Sequence, residues 1–191
     1  MSESLDKCEK KRVEKITFIT VGRLVKQKGY MLLLETCKEL QKKYDFDLWI
    51  IGDGIQRKEL EMYIKEHNLT CVHLLGEKKN PYPYMKQADW YVSSSTAESY
   101  GLSIQEALIL GIPVISTMCP AIVECLDSRY NIIVPNSFEG LYKGIEKILL
   151  SKELTIECKK KIESMYECEE LWLPRLKLIC DVVEFGGDNN A

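Results

Sequence analysis

Short apolar runs rich in β-branched residues alternate along this chain with longer segments of helical periodicity. Runs of this kind, bounded by turn residues, are typical of buried strands. A strand that is apolar on both sides must be covered on both sides, so the alternation predicts a parallel sheet between two layers of helices. Six runs qualify, at 16–21, 46–51, 71–75, 90–92, 113–116 and 131–134.

The helical segments are amphipathic. In the first of them, one face carries Tyr30, Leu33, Leu34, Cys37 and Leu40, which is the spacing of a core-facing helix. After the sixth run the pattern becomes purely helical. We expect a helix at 137–150 with a capping pair formed by Asn136 and Glu139, followed by helices at 153–166 and about 169–185.

Right-handed crossovers between parallel strands make this pattern a doubly wound, Rossmann-like α/β domain of six strands. The common strand order 3-2-1-4-5-6 places the topological switch between the first and fourth strands, where ligands bind. We expect the domain to cover 16–185, with a polar segment at 1–15 and a disordered tail at 186–191.

Composition excludes several classes of protein. With 26 Lys and Arg against 29 Asp and Glu, the formal charge is −3, which argues against a nucleic-acid partner. No apolar run is long enough to span a bilayer, and the polar start lacks the apolar region of a signal peptide. The eight cysteines form no C-x-x-C pair. We therefore predict a cytoplasmic protein with reduced cysteines and no transmembrane segment.

The loop after the first strand carries two cations. It begins at Gly22 and places Arg23 and Lys28 before a helix N-terminus. A guanidinium fork, a compact ammonium and a helix dipole together suit a diphosphate. The alternative is a solvated basic loop.

The loop after the fourth strand leads into another helix. Residues 99–102 are expected to form a tight turn whose free backbone N–H groups make an anion site. Glu98 lies before this turn, and Glu106 lies just over one turn into the helix. Carboxylates beside a phosphate site are suited to accept hydrogen bonds from sugar hydroxyls. Taken singly, Glu106 is also compatible with an exposed helix residue, and Glu98 with a capping acid.

The remaining motifs give weaker indications of function. Gly52-Asp53-Gly54 resembles G-x-G-x-x-G, but Arg57 occupies the third glycine position, and Asp53 is expected to cap the next helix. Asp45 and Asp47 lie at the opposite edge of the sheet, which disfavours a metal site there. His73 falls inside a strand and is expected to be a core or edge residue. No ligand cluster predicts a metal.

Together these segments resemble the donor-binding half of a retaining GT-B glycosyltransferase of family 4, also called group 1. The resemblance covers 16–150 and rests on ordered motifs: G-R-L at 22–24 with K-G at 28–29, G-D-G at 52–54, L-L-G at 74–76, N-P-Y-P-Y at 80–84, A-D at 88–89, E-x7-E at 98–106 and G-I-P-V-I at 111–115.

The resemblance implies a role for each matching residue. Arg23 and Lys28 hold the donor diphosphate and stabilise the leaving nucleotide. Glu98 contacts the transferred sugar, and Glu106 accepts hydrogen bonds from the ribose hydroxyls. The remaining donor contacts fall on main chain: Gly22 in the first loop, Leu75 and Gly76 at the edge of the base, and Ser99, Tyr100, Gly101 and Leu102 over sugar and phosphate. Lys79 and Tyr82 border the base pocket.

The resemblance also implies the partners. The substrate is a UDP- or GDP-sugar and no metal or other cofactor is expected, because fixed cations and helix dipoles replace it. The acceptor is a saccharide or a lipid-linked molecule, as in polysaccharide or glycolipid biosynthesis. Family members bind it with an N-terminal domain that has no counterpart here, so we expect the isolated chain to be inactive. The full-length enzyme can be peripheral at the inner membrane face.

Two alternatives remain open at this point. The chain could be a non-catalytic module that binds nucleotide sugars, which restoration of transfer by an N-terminal domain would argue against. It could also be an unrelated dinucleotide-binding protein that uses Gly52-Asp53-Gly54, which tight NAD binding would support.

Overall fold

The six apolar runs pair into one parallel sheet. The computed structural model describes residues 15–98, 101–119, 122 and 126–166. Its strands are β1 (Ile16–Val21), β2 (Phe46–Ile51), β3 (Val72–Gly76), β4 (Trp90–Ser93), β5 (Val114–Thr117) and β6 (Ile132–Val134), in the order β3-β2-β1-β4-β5-β6. The predicted doubly wound class and strand order are therefore confirmed.

Helices follow most of the strands. They are α1 (Tyr30–Leu40), α2 (Arg57–Glu66), α3 (Tyr82–Met85), α4 (Leu102–Ile109), α5 (Phe138–Leu150) and α6 (Lys152–Tyr166), with a 3₁₀ turn at Lys26–Lys28. Helix α1 packs against α2 and α5. Right-handed crossovers put α1 and α2 on one face of the sheet and α3 and α4 on the other.

The core follows the predicted apolar faces. Tyr30, Leu33, Leu34, Cys37 and Leu40 of α1 are all buried, as are all four residues of β4. Burial of successive residues, rather than alternate ones, is what a strand between two helical layers requires. The central strands are thus fixed in place, and their carboxyl ends are held at one common edge of the sheet.

The start of α5 differs by one residue from the prediction. Ser137, not Asn136, is the N-cap, and its hydroxyl accepts a hydrogen bond from the Gly140 amide at 3.1 Å. Ser137 has the extended backbone that a cap needs, whereas Glu139 forms an ion pair with Lys143 on the helix surface. Both Asn and Ser are good caps, so backbone geometry decided between them.

Helix α6 lies across the amino end of β4. The Trp90 indole donates a hydrogen bond to Thr155 Oγ1 at 2.8 Å, and Lys159 pairs with Asp89 at 2.9 Å. The predicted helix at 169–185, the tail at 186–191 and the segment 1–14 lie outside the described residues. The predicted domain boundaries therefore remain predictions.

Candidate functional site

A crevice opens where β1 and β4 separate. Ile19 and Tyr91 are the last residues paired between these strands, although β1 continues to Val21 and β4 to Ser93. This is the predicted switch point of the sheet. The loops that leave β1 and β4 therefore flank one crevice.

Hydrogen bonds to main-chain oxygens join these two loops. The Thr96 amide donates a hydrogen bond to Gln27 O at 2.9 Å, and the Ser94 hydroxyl donates to Lys28 O at 2.9 Å. Gly29 has φ 65°, and a Cβ there would lie 2.0 Å from Ser94 O. Only glycine fits this position, and the close approach fixes the two loops relative to each other.

Lys28 and Glu98 form an ion pair inside this crevice. Lys28 Nζ lies 2.7 Å from Glu98 Oε1, and the Ser95 hydroxyl donates to the same oxygen at 2.6 Å. The side chains are 25% and 10% exposed, respectively. The structure thus brings together two residues to which the resemblance gives roles at the diphosphate and at the sugar. A charged pair held in this way is already in position for a ligand that carries both a diphosphate and a sugar.

Arg23 and Glu106 lie on the two elements that flank the crevice, the loop after β1 and helix α4. Arg23 is exposed and, among the described residues, no carboxylate pairs with it. Glu106 is half-buried on α4 and accepts a hydrogen bond from the Tyr82 hydroxyl at 3.3 Å. Burial raises the pKa of Glu106, against the opposing effect of the Tyr82 hydrogen bond. Burial and the neighbouring Glu106 raise the pKa of Tyr82. The Glu106 carboxylate is therefore partly desolvated, and it can accept a further hydrogen bond from a ligand hydroxyl.

The turn into α4 is described only in part. Ser99 and Tyr100 lie outside the described residues. Gly101 is the N-cap with φ 56°, and Leu102, which begins the helix, is exposed. Gly101 has no side chain with which to cap α4, and the Ile104 amide donates to Gly101 O at 2.9 Å. The amides of Leu102 and Ser103 at the helix start are main-chain groups of the kind that bind an anion.

Leu75 and Gly76 end β3 beside the loop after β2. The Gly52 amide donates a hydrogen bond to Gly76 O at 2.9 Å. The Arg57 guanidinium lies beside Gly76, where a Cβ would be 3.5 Å from Nη1. Main chain and a guanidinium therefore meet at the position predicted for the edge of the base.

The glycines at 52 and 54 have a structural role. A Cβ on Gly52 would lie 2.0 Å from Gly22 O, and one on Gly54 would lie 2.5 Å from Leu24 O. They let the β2 loop touch the β1 loop, where Leu24 N donates to Asp53 O at 2.9 Å. This contact accounts for the glycine pattern without a dinucleotide.

Asp53 does not cap α2, contrary to the prediction. Gln56 is the N-cap. The Asp53 carboxylate accepts a hydrogen bond from the Gly54 amide at 2.7 Å and pairs with Arg57 at 3.3 Å. The carboxylate therefore has partners other than the first amides of the helix.

The opposite edge of the sheet holds the predicted D-x-D segment. Lys15 pairs with Asp45 at 2.9 Å and with Asp47 at 3.1 Å, and His73 lies 2.9 Å from Asp47. His73 is an exposed residue of edge strand β3. In the part of the chain that the structure describes, no group of His, Cys, Asp or Glu could hold a metal. Cys37, Cys71, Cys119 and Cys158 are free and buried.

Sequence reasoning missed the hydroxyl groups beneath the crevice. Tyr91 contacts the end of β1 and the first turn of α4, and Tyr30 donates a hydrogen bond to Gly22 O at 3.2 Å. Ser95 supports Glu98. The one signal in the sequence was the presence of polar residues where an apolar strand ends.

Among the helices that the structure describes, none has the length and apolar character that a membrane span requires.

Comparisons with known proteins agree with this architecture. The family profile described as Glycosyl transferases group 1 matches residues 2–165. An uncharacterized glycosyltransferase of Methanocaldococcus jannaschii is 40% identical over 139 residues, which is 70% of this chain and 34% of the relative. A phosphatidylinositol N-acetylglucosaminyltransferase component of Homo sapiens is 31% identical over 85% of this chain and 34% of the relative. The chain thus spans about a third of these relatives.

Solved structures share the fold. The Anabaena protein HepE, in complex with UDP and glucose, aligns with a TM-score of 0.74 at 19% identity, over 89% of this chain and 48% of that one. The C-terminal domain of the group 1 protein LpcC from Francisella tularensis aligns with a TM-score of 0.67 at 24% identity, over 80% and 83%. The chain therefore has the architecture of one half of a GT-B enzyme.

Proposed function

Because the chain belongs to the glycosyl transferases of group 1, we propose that it is the donor-binding half of a retaining GT-B enzyme of family 4. Its substrate is a UDP- or GDP-sugar. The acceptor is a saccharide or a lipid-linked molecule, and it binds to the part of the relatives' length that this chain does not span. The enzyme acts in the cytoplasm, in polysaccharide or glycolipid biosynthesis, with peripheral contact at the inner membrane face.

The observation that carries the proposal is the Lys28–Glu98 pair in the crevice, with the exposed Arg23 in the same loop as Lys28. Transfer breaks the bond between the anomeric carbon and the β-phosphate oxygen and forms a bond from that carbon to an acceptor hydroxyl oxygen, which loses its proton to the departing phosphate. Negative charge develops on that phosphate as the bond breaks. Arg23 and Lys28 stabilise this charge as the nucleotide leaves. Glu98 accepts a hydrogen bond from a hydroxyl of the transferred sugar.

The other contacts bind the nucleotide. Glu106, held by Tyr82, accepts from the ribose hydroxyls. Main chain at Leu75 and Gly76 meets the edge of the base. Main-chain groups of Gly22 and of the turn at 99–102 enclose the phosphates and sugar. Two fixed cations and the α4 N-terminus take the place of a metal ion, so donor binding needs no divalent cation.

Relatives support the choice of substrate. The Anabaena structure contains UDP and glucose. A relative of Campylobacter jejuni, 31% identical over 76% of this chain, is named as an N-acetylgalactosaminyltransferase that acts on a diphospho-undecaprenol substrate. A nucleotide donor and a lipid-linked acceptor are therefore in keeping with the family.

Calorimetry with UDP, GDP and ADP, with and without EDTA, tests the proposal. We expect at least one nucleotide to bind with EDTA present, and both Arg23→Ala and Glu106→Ala to weaken it by about tenfold or more. Arg129→Ala removes an exposed arginine that pairs with Asp127 away from the crevice, and it should leave the affinity unchanged. Absence of binding by all three nucleotides at millimolar concentration would refute the proposal.

A non-catalytic nucleotide-sugar module is the second candidate, because the Lys28–Glu98 pair would bind a donor whether or not transfer follows. Transfer assays distinguish the two, using this chain joined to the N-terminal half of a relative. Restored transfer that is lost on Lys28→Ala supports the enzyme. Donor binding without transfer in any such pairing supports the module.

A further inference from the structure

The end of β1 has backbone groups that the sheet does not pair. Val21 lies two residues beyond Ile19, the last β1 residue in register with β4. The Gly22 amide points to the other side and donates to Ile51 O at 3.0 Å. The Val21 N–H and C=O groups therefore face the gap between β1 and β4. Buried backbone groups in such a gap need partners.

The Tyr91 hydroxyl fills that gap. The Val21 amide donates to the phenol oxygen at 3.3 Å, and the phenol oxygen lies 3.1 Å from Val21 O and 2.8 Å from Ser103 Oγ. Tyr91 is buried, with 2% of its surface exposed. One hydroxyl group thus joins the residue before the Gly22 loop to the first turn of α4.

We propose that the Tyr91 hydroxyl is a positioning group of the donor site, which holds the loop after β1 and the start of α4 at the spacing that a diphosphate requires. This inference rests on the proposed function, because it assumes that a diphosphate binds between those two elements. Tyr91 does not touch the donor. It acts through Val21 on the loop that carries Arg23 and Lys28, and through Ser103 on the N-terminus of α4.

The neighbouring residues make this role specific. Tyr30 holds Gly22 O from the other side of the same loop, and Thr20 lies beside both phenols. Without the Tyr91 hydroxyl, the Val21 groups would be buried without a partner or the gap would admit water. In either case the loop would shift relative to α4. The base pocket at Gly76 lies across β2 and would be little affected.

The test compares a nucleoside diphosphate with its monophosphate. Calorimetry would measure UDP and UMP, or GDP and GMP if wild type prefers guanine, on wild type, Tyr91→Phe and Ser103→Ala. We expect Tyr91→Phe to weaken the diphosphate by about tenfold and the monophosphate by less than about threefold. Ser103→Ala should produce the same bias at about threefold, and the double variant should lose less than the product of the two.

Tyr44→Phe is the matched control. Its hydroxyl contacts Glu146 at 3.0 Å, remote from the crevice, so both affinities should stay unchanged. Equal losses for diphosphate and monophosphate in Tyr91→Phe would show a role in folding alone and overturn the inference, as would unchanged affinities. If Tyr91→Phe does not fold, the bias in Ser103→Ala decides. Wild type that binds no nucleotide would refute the proposed function itself, and this inference with it.

Discussion

The two edges of the sheet carry similar side chains in different surroundings. At the carboxyl edge, Lys28 and Glu98 form a largely buried pair that Ser95 supports. At the amino edge, Lys159 pairs with Asp89 with the two side chains 33% and 30% exposed. Helices α1, α2, α4 and α5 all begin at the carboxyl edge. That edge therefore collects the N-termini of four helices, which favour an anion, whereas α1, α2 and α4 end at the amino edge, where, of the described helices, α6 alone begins.

The wider cavity lies at the amino edge of the sheet, away from the proposed donor site. A groove of about 530 Å³ is lined by Lys15, Asp47, Trp49, Asp89 and Lys159. The polar pocket at Lys28 and Glu98 is much smaller. In this groove Lys15 pairs with Asp47, and Lys159 pairs with Asp89. The difference teaches that charge arrangement and helix direction identify this candidate site better than cavity size does.

The largest expected effect comes from separating the loops after β1 and β4, whose hydrogen bonds and close approach at Gly29 we call the seam. Gly29→Ala places a Cβ 2.0 Å from Ser94 O, so the two loops must separate, and we expect a loss of about 4 kcal/mol of unfolding free energy. Gly76→Ala is the matched control, because its φ is also positive but the nearest atom is 3.5 Å away. It should cost about 1 kcal/mol. Urea unfolding measures both, and similar losses would contradict the seam.

The second prediction compares the two lysine–carboxylate pairs directly. Lys28→Met leaves the Glu98 charge largely buried, and we expect a loss of about 2 kcal/mol. Lys159→Met exposes Asp89 to solvent and should cost less than about 1 kcal/mol. Urea unfolding in low and high salt measures both. A loss for Lys159→Met that equals or exceeds the loss for Lys28→Met would remove the distinction between the edges.

The smallest effect concerns Glu106. Since burial raises its pKa, Glu106 contributes stability below the ordinary carboxyl pKa and loses that contribution as pH rises through the raised value. At pH 7 the desolvated carboxylate is therefore unfavourable. Glu106→Gln should gain a few tenths of a kcal/mol at pH 7, and the gain should vanish at acidic pH.

The same variant should bind UDP or GDP more weakly, because the amide accepts ribose hydroxyls less well than a carboxylate does. Glu35→Gln, at an exposed position of α1, is the control and should change neither quantity. Thermal unfolding across pH and calorimetry measure the two effects. Stability that rises with pH specifically in wild type would reverse the sign and contradict the argument.

The strands could be predicted because they depend on local composition, and their order could be predicted because it is the common order of a doubly wound sheet. Strands β1 and β2 have the predicted bounds, since β-branched runs end at turn residues. The caps were less predictable. Asn136 and Ser137 differ little in intrinsic preference, and the Asp53 carboxylate bonds to the Gly54 amide and pairs with Arg57 instead of capping α2.

The sequence predicts which loops form the site, but it does not predict the contacts between the site residues. The sequence places Lys28 and Glu98 at one edge of the sheet, but their 2.7 Å contact depends on the 3₁₀ turn at Lys26–Lys28 and on the seam at Gly29. Tyr91 stands in an apolar run and could not be distinguished from an ordinary core aromatic. Its importance comes from a gap between strands that only the folded chain creates. The roles of the site residues remain predictions.

The seam between the two crevice loops joins main-chain atoms, and this determines which changes the protein can accept. Side chains such as Ala97 can be exchanged without disturbing the Gln27–Thr96 hydrogen bond. Inserting or deleting a single residue in either loop would misalign the amide and carbonyl groups that form this hydrogen bond. An engineer who wishes to alter donor preference should therefore vary side chains around the crevice and keep the length of both loops constant.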